Sequence, residues 1–220
     1  MTAASSFTPM MALAFAPVPP ASRAALEALA AFDREMGAIL ASTREPLVGQ
    51  MRLTWWREAV IALDHARPPA QPVLQALAGA VIPAGVMGAS LARVIDGWEM
   101  LLREPLDGEA VAQFAEDRGG GLFAAMAAVL GASDQAIEQA GEGWALADLA
   151  GHVSDPRIGD LAATRSGERV DAALATSWSR AGRPLAALAL LARFDLQPAP
   201  GRWARARQLA ALLRLRATGR

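Results

Sequence analysis

Between its proline and glycine breaks, the chain repeats apolar residues at helical spacing. From Arg23 to Ala41 the apolar positions Leu26, Leu29, Phe32, Met36 and Ile39 or Leu40 form one stripe. Ser22 follows Pro19-Pro20 and is placed to cap that helix, which should end near Ala41. A second helix is expected from Pro46, where the missing N–H costs nothing, to Arg67-Pro68-Pro69. Val48, Met51, Trp55 and Ala59 should share its buried face, widened by Trp56, Val60 and Leu63. Further helices fit 72–80, 84–103, 109–130, 134–150, 168–181, 184–194 and 201–216. Breaks are expected at Pro83, Pro105, Gly131, Asp155-Pro156, Gly167, Gly182 and Pro198-Ala199-Pro200. Ser133 is expected to cap the 134 helix. Gly119-Gly120-Gly121 has no strand before it and no Lys-Ser/Thr after it, so it reads as a kink and not as a phosphate loop.

Alternating β-branched or aromatic runs are missing, and no internal repeat or linker appears. The pattern therefore predicts an all-α, single-domain bundle of antiparallel helices. Residues 1–9 read as a flexible N-terminus, with a short apolar turn over Met10–Phe15, and 10–220 as the domain.

Composition narrows the chemistry. Apolar residues make up 53% of the 220, enough for a sizeable core. A net charge of -1 argues against a nucleic-acid binder. There is no cysteine, which removes disulfides, thiolate catalysis and thiolate metal sites. The longest uncharged run, 1–22, is interrupted by four prolines and falls short of a membrane span. No basic residue precedes Arg23, which argues against a secretory leader.

The segment Glu45-Pro46-Leu47-Val48-Gly49-Gln50-Met51-Arg52-Leu53-Thr54-Trp55-Trp56-Arg57-Glu58 resembles the signature helix of the squalene/phytoene synthase family. The likeness extends from Leu13-Ala14-Phe15-Ala16-Pro17 through Phe32-Asp33-Arg34-Glu35, and to the tail from Arg183 to Arg214. It implies the isoprenoid synthase type of helical bundle, with a central cavity. It also implies a chemistry in which two isoprenoid diphosphates are joined. Two D-x-x-x-D motifs on facing helices hold magnesium there, with both acids of each motif on one helix face. The magnesium neutralises charge on the departing diphosphate.

This chain departs from that pattern. The first pair of acids should fall near Gly37 and Ala41, and no D-x-x-x-D occurs between Gly143 and Asp160. The resemblance thus points to a non-catalytic branch, one that includes a mitochondrial assembly factor for respiratory complex I. It implies no cofactor, and a cytoplasmic protein on the inner face of a bacterial inner membrane. Its partner would be a respiratory-complex subunit or the membrane, met by the C-terminal segment with Arg202, Trp203, Arg205, Arg207, Arg214, Arg216 and Arg220, against the competing reading of a final core helix with an arginine-rich outer side. An isoprenoid or lipid ligand is the other expected partner.

Arg34, Arg52, Trp55, Trp56 and Arg57 are the candidate anion-facing or cavity-lining residues, against a plain reading as core anchors and surface charges. If the chain is instead an active, Mg²⁺-dependent prenyltransferase, its metal acids would be Asp134, Glu138 and Glu142, spaced four apart. A solvated helix face, with acids favoured near the N-terminus by the helix dipole, is the plainer reading. His152 stands four residues after Asp148, so a helical Asp–His pair is available, with no third metal ligand at a usual spacing.

Overall fold

The computed structural model describes residues 12, 14–16, 18–197 and 204–220. Residues 1–9, Met10, Met11 and Leu13 of the Met10–Phe15 turn, the Pro198-Ala199-Pro200 break, and Arg202 and Trp203 lie outside the described residues. The described part is all-helical, with no strand. The elements in order are α1 (Pro20–Ser42), α2 (Pro46–Ala62), α3 (Pro72–Ala76), α4 (Gly88–Glu99), α5 (Gly108–Phe114), α6 (Gly121–Leu130), α7 (Ile137–His152), α8 (Pro156–Leu174), α9 (Arg183–Leu196) and α10 (Ala204–Thr218). Among the described residues no helix is long and apolar enough to cross a membrane.

The stripe on α1 holds: Leu26, Leu29, Phe32, Met36 and Ile39 are all buried. The helix starts earlier than Ser22 suggested. Pro20 takes the first position and no side chain caps it, because proline already fixes φ for the first turn. The region 109–130 is one helical path whose middle, Ala115–Gly120, is wound as a π-helix between α5 and α6. The expected kink at the three glycines is thus a local change of winding. Asp107 caps α5 by accepting from the N–H groups of Glu109 and Ala110, and those bonds with the N-terminal amides hold its carboxyl below its usual range.

Four expectations need correction. In α2 the buried face is Gly49, Leu53, Trp56, Ala59 and Val60, while Leu47, Val48, Met51 and Trp55 are exposed. Close backbone approach sets this rotation, because a Cβ on Gly88 would lie 2.2 Å from the carbonyl oxygen of Val60. Gly167 does not break the chain; α8 runs through it from Pro156. A Cβ at Gly167 would meet nothing, so the position is a tolerated helical glycine. Helix α7 begins at Ile137 with Ala136 at its cap position, so Ser133 caps nothing and Asp134 lies in the preceding turn. Pro83 sits in a 3-10 turn, Ile82–Ala84, and the stop is Gly85 at φ 88°.

Candidate functional site

Spacing along α1 places Asp33 on the apolar face, four residues after Leu29 and three before Met36. Asp33 is 5% exposed. A buried carboxylate requires partners, and three helical segments supply them. Trp98 of α4 donates its indole N–H to Asp33 Oδ1 at 2.8 Å. Arg118 of the π-helical segment clamps the same carboxylate with two parallel bonds, Nε to Oδ1 and Nη2 to Oδ2, both 2.9 Å. Its Nη1 reaches Asp148 Oδ2 on α7 at 2.6 Å. One buried guanidinium thus bridges carboxylates from two facing helices.

Aromatic rings complete the enclosure. The Arg118 guanidinium carbon lies 3.9 Å from the centre of the Trp98 ring, 4.8 Å from Trp144 and 5.3 Å from Phe114. Burial by itself would lower the Arg118 pKa. The charges of Asp33 and Asp148 outweigh it and hold the group above its ordinary value. Arg118 is therefore a permanent cation at this site.

Glycines allow the segments to meet there. A Cβ on Gly97 would sit 2.4 Å from the Arg118 backbone nitrogen. Cβ atoms on Gly119 and Gly141 would each fall 2.2 Å from the other residue's carbonyl oxygen. The π-helical segment and α7 therefore touch backbone to backbone one residue from Arg118 and seven from Asp148. Nearby, Ser166 donates to the Gly143 carbonyl at 2.6 Å and ties α8 to α7.

Beside the cluster lies a cavity of about 430 Å³. Asp33, Arg118 and Asp148 line it, and Trp98, Phe114 and Trp144 are among its aromatic walls. Gly37 and Ala41 also line it, as does Arg34, at the positions where the sequence places a metal-holding face. They carry no carboxylate. On α7 the residue four beyond Asp148 is His152, whose Nδ1 lies 3.3 Å from Asp148 Oδ1.

The other candidates fall elsewhere. Arg52 donates to the Ser42 and Thr43 hydroxyls, and Arg57 pairs with Asp96 at 2.8 Å on the outside. Trp56 packs on Phe32 at 6.2 Å between ring centres, behind the cavity-lining side of α1, while Trp55 is half exposed. Of the five candidates, Arg34 alone is among the cavity-lining residues. Asp134, Glu138 and Glu142 border a separate surface hollow between α6 and α7. Asp134 accepts from the Ser179 backbone and hydroxyl, and Glu142 pairs with Arg169 at 3.0 Å. Burial raises the Glu142 pKa despite that arginine. Among the described residues no group of three or more histidines, aspartates or glutamates can hold a metal ion. The donor set does not fit a magnesium cluster: the two carboxylates facing the cavity already bind a fixed cation, and the neighbouring positions offer no hard oxygen.

The described residues form an all-helical shell around this cavity, consistent with the isoprenoid synthase type of fold. The squalene/phytoene synthase family model matches residues 6–153, about two thirds of the chain, and the protein belongs to that family. No curated protein and no solved structure matches the chain.

Proposed function

We propose that this protein is a non-catalytic member of the squalene/phytoene synthase family, keeping the helical shell as a scaffold or as a binder of a lipophilic ligand. The observation that carries this reading is Arg118. Departure of diphosphate needs divalent cations held by open carboxylate oxygens. Here both oxygens of Asp33 and one of Asp148 are taken by the chain's own guanidinium. A second cation beside that fixed charge would meet repulsion in a poorly screened interior.

Incubation with farnesyl or geranylgeranyl diphosphate and magnesium should release no diphosphate. Release that Glu138→Ala abolishes would establish the enzyme reading, with Asp134, Glu138 and Glu142 as metal acids.

The resemblance adds a place and a partner, the inner face of a bacterial inner membrane beside a respiratory complex, complex I by the branch it is similar to. In support, α10 carries Arg205, Arg207, Arg214 and Arg216, with Leu209 and Leu213 exposed. Leu209→Asp with Leu213→Asp should move the protein from the membrane to the soluble fraction. Unchanged partitioning would remove that role.

A further inference from the structure

The cavity beside Arg118 does not stand alone. A groove of about 790 Å³ runs between α7, α9 and α10, and Trp144, Asp148, His152 and Leu188 line both spaces. Sharing those four residues, the two spaces adjoin, and a path through both would run from the aromatic enclosure outward to Leu209 on α10. Volumes of about 300–1,000 Å³ are those of small-molecule sites.

The charge at the inner end selects the ligand. Two carboxylates, Asp33 and Asp148, stand against two guanidiniums, Arg118 and Arg34, among the lining residues, so the inner end offers no net formal charge to a charged head. An anionic head would lie against Asp33 and Asp148, and neither can release Arg118 without leaving a buried charge unpaired. A cationic head would compete with Arg118 for three of the four carboxylate oxygens, and the fourth, Asp148 Oδ1, already lies 3.3 Å from His152 Nδ1. A guanidinium carries five N–H bonds, and three are used by Asp33 and Asp148. Two remain without an acceptor among the described residues, on a side chain that is 3% exposed and lines the cavity. A neutral oxygen acceptor on an apolar chain satisfies them at no charge cost.

We propose that this path binds an uncharged, elongated lipophile whose terminal hydroxyl or carbonyl oxygen accepts from Arg118, while its chain runs past Trp144 and His152 into the groove under α10. This rests on the binder form of the non-catalytic reading.

The test titrates the full chain with three probes of equal chain length, 1-dodecanol, dodecyl phosphate and dodecylammonium, followed by tryptophan fluorescence and native mass spectrometry. The alcohol should bind at least about tenfold more tightly than either charged probe, because leaving a charge unpaired in a buried site costs more than that factor. Gly151 lines the groove and a Cβ there would meet nothing within 4 Å. Gly151→Trp should therefore fold normally and weaken the alcohol about tenfold by filling the path. Equal or tighter binding of the phosphate overturns the proposal, and so does binding that Gly151→Trp leaves unchanged. Absence of binding by all three overturns it too, yet leaves the scaffold reading standing. Diphosphate release by the wild type would instead sink the non-catalytic reading.

Discussion

Arg118 and Asp33 form a two-pronged ion pair, 2.9 Å at each prong, across 85 residues of sequence and almost wholly out of water. The pair lies at the centre of the candidate site. It draws together α1, the π-helical segment and, through Asp148, α7.

Removing the cation strands two acids. Arg118→Met should lower stability by about 3–5 kcal/mol, the cost of breaking a buried pair from one side. Arg118→Lys should recover little, because an ammonium cannot make the two parallel bonds. Combining Arg118→Met with Asp33→Asn should cost less than the two losses added. Urea unfolding of the four proteins measures the coupling. A second readout uses Arg118→Ala with guanidinium added well below denaturing concentration. The free ion should raise the melting temperature of the variant and not that of the wild type. Strict additivity together with no rescue would mean the pair contributes nothing specific.

The glycine contact between Gly119 and Gly141 should tolerate no side chain. Gly141→Ala places a methyl 2.2 Å from the Gly119 carbonyl oxygen. Both positions are backbone against backbone, so relief requires the helices to separate. The expected loss is about 1–3 kcal/mol or more, with increased hydrogen exchange at α7 and the π-helical segment. Gly167→Ala, which meets open space, is the control and should be neutral or slightly stabilising.

The two adjacent tryptophans should behave differently. Trp56 is buried against Phe32, and Trp56→Ala should cost about 3–5 kcal/mol. Trp55 is 47% exposed and stands edge-on to Trp56. Trp55→Ala should cost about 1 kcal/mol or less. Thermal unfolding of both variants checks this, and equal losses would contradict the orientation of α2.

Helix type and the α1 stripe were legible because apolar residues at 3.6-residue spacing leave little alternative. Little of the expected cavity face was: Arg34 lines the cavity, as do Gly37 and Ala41, but Arg52, Trp55, Trp56 and Arg57 do not. The ion cluster was not read, since its partners lie 85 and 30 residues from Arg118 and no local spacing joins them. Two signals were present. Asp33 continues the spacing of Leu29 and Met36, and Arg118 lies four residues from both Phe114 and Leu122, so each charge sits on a buried face. The rotation of α2 was hidden for another reason. Apolar residues surround that helix on most sides, and only the close approach of Gly88 selects one.

The central claim is that Arg118 occupies the place between the facing carboxylates that a divalent ion would need. Manganese titration followed by electron paramagnetic resonance tests it most directly, with wild type, Arg118→Ala and Asp33→Asn/Asp148→Asn compared in the presence of inorganic diphosphate. The wild type should leave manganese free at concentrations where Arg118→Ala begins to bind it. Manganese bound by the wild type and lost in the Asp33→Asn/Asp148→Asn variant would contradict the account.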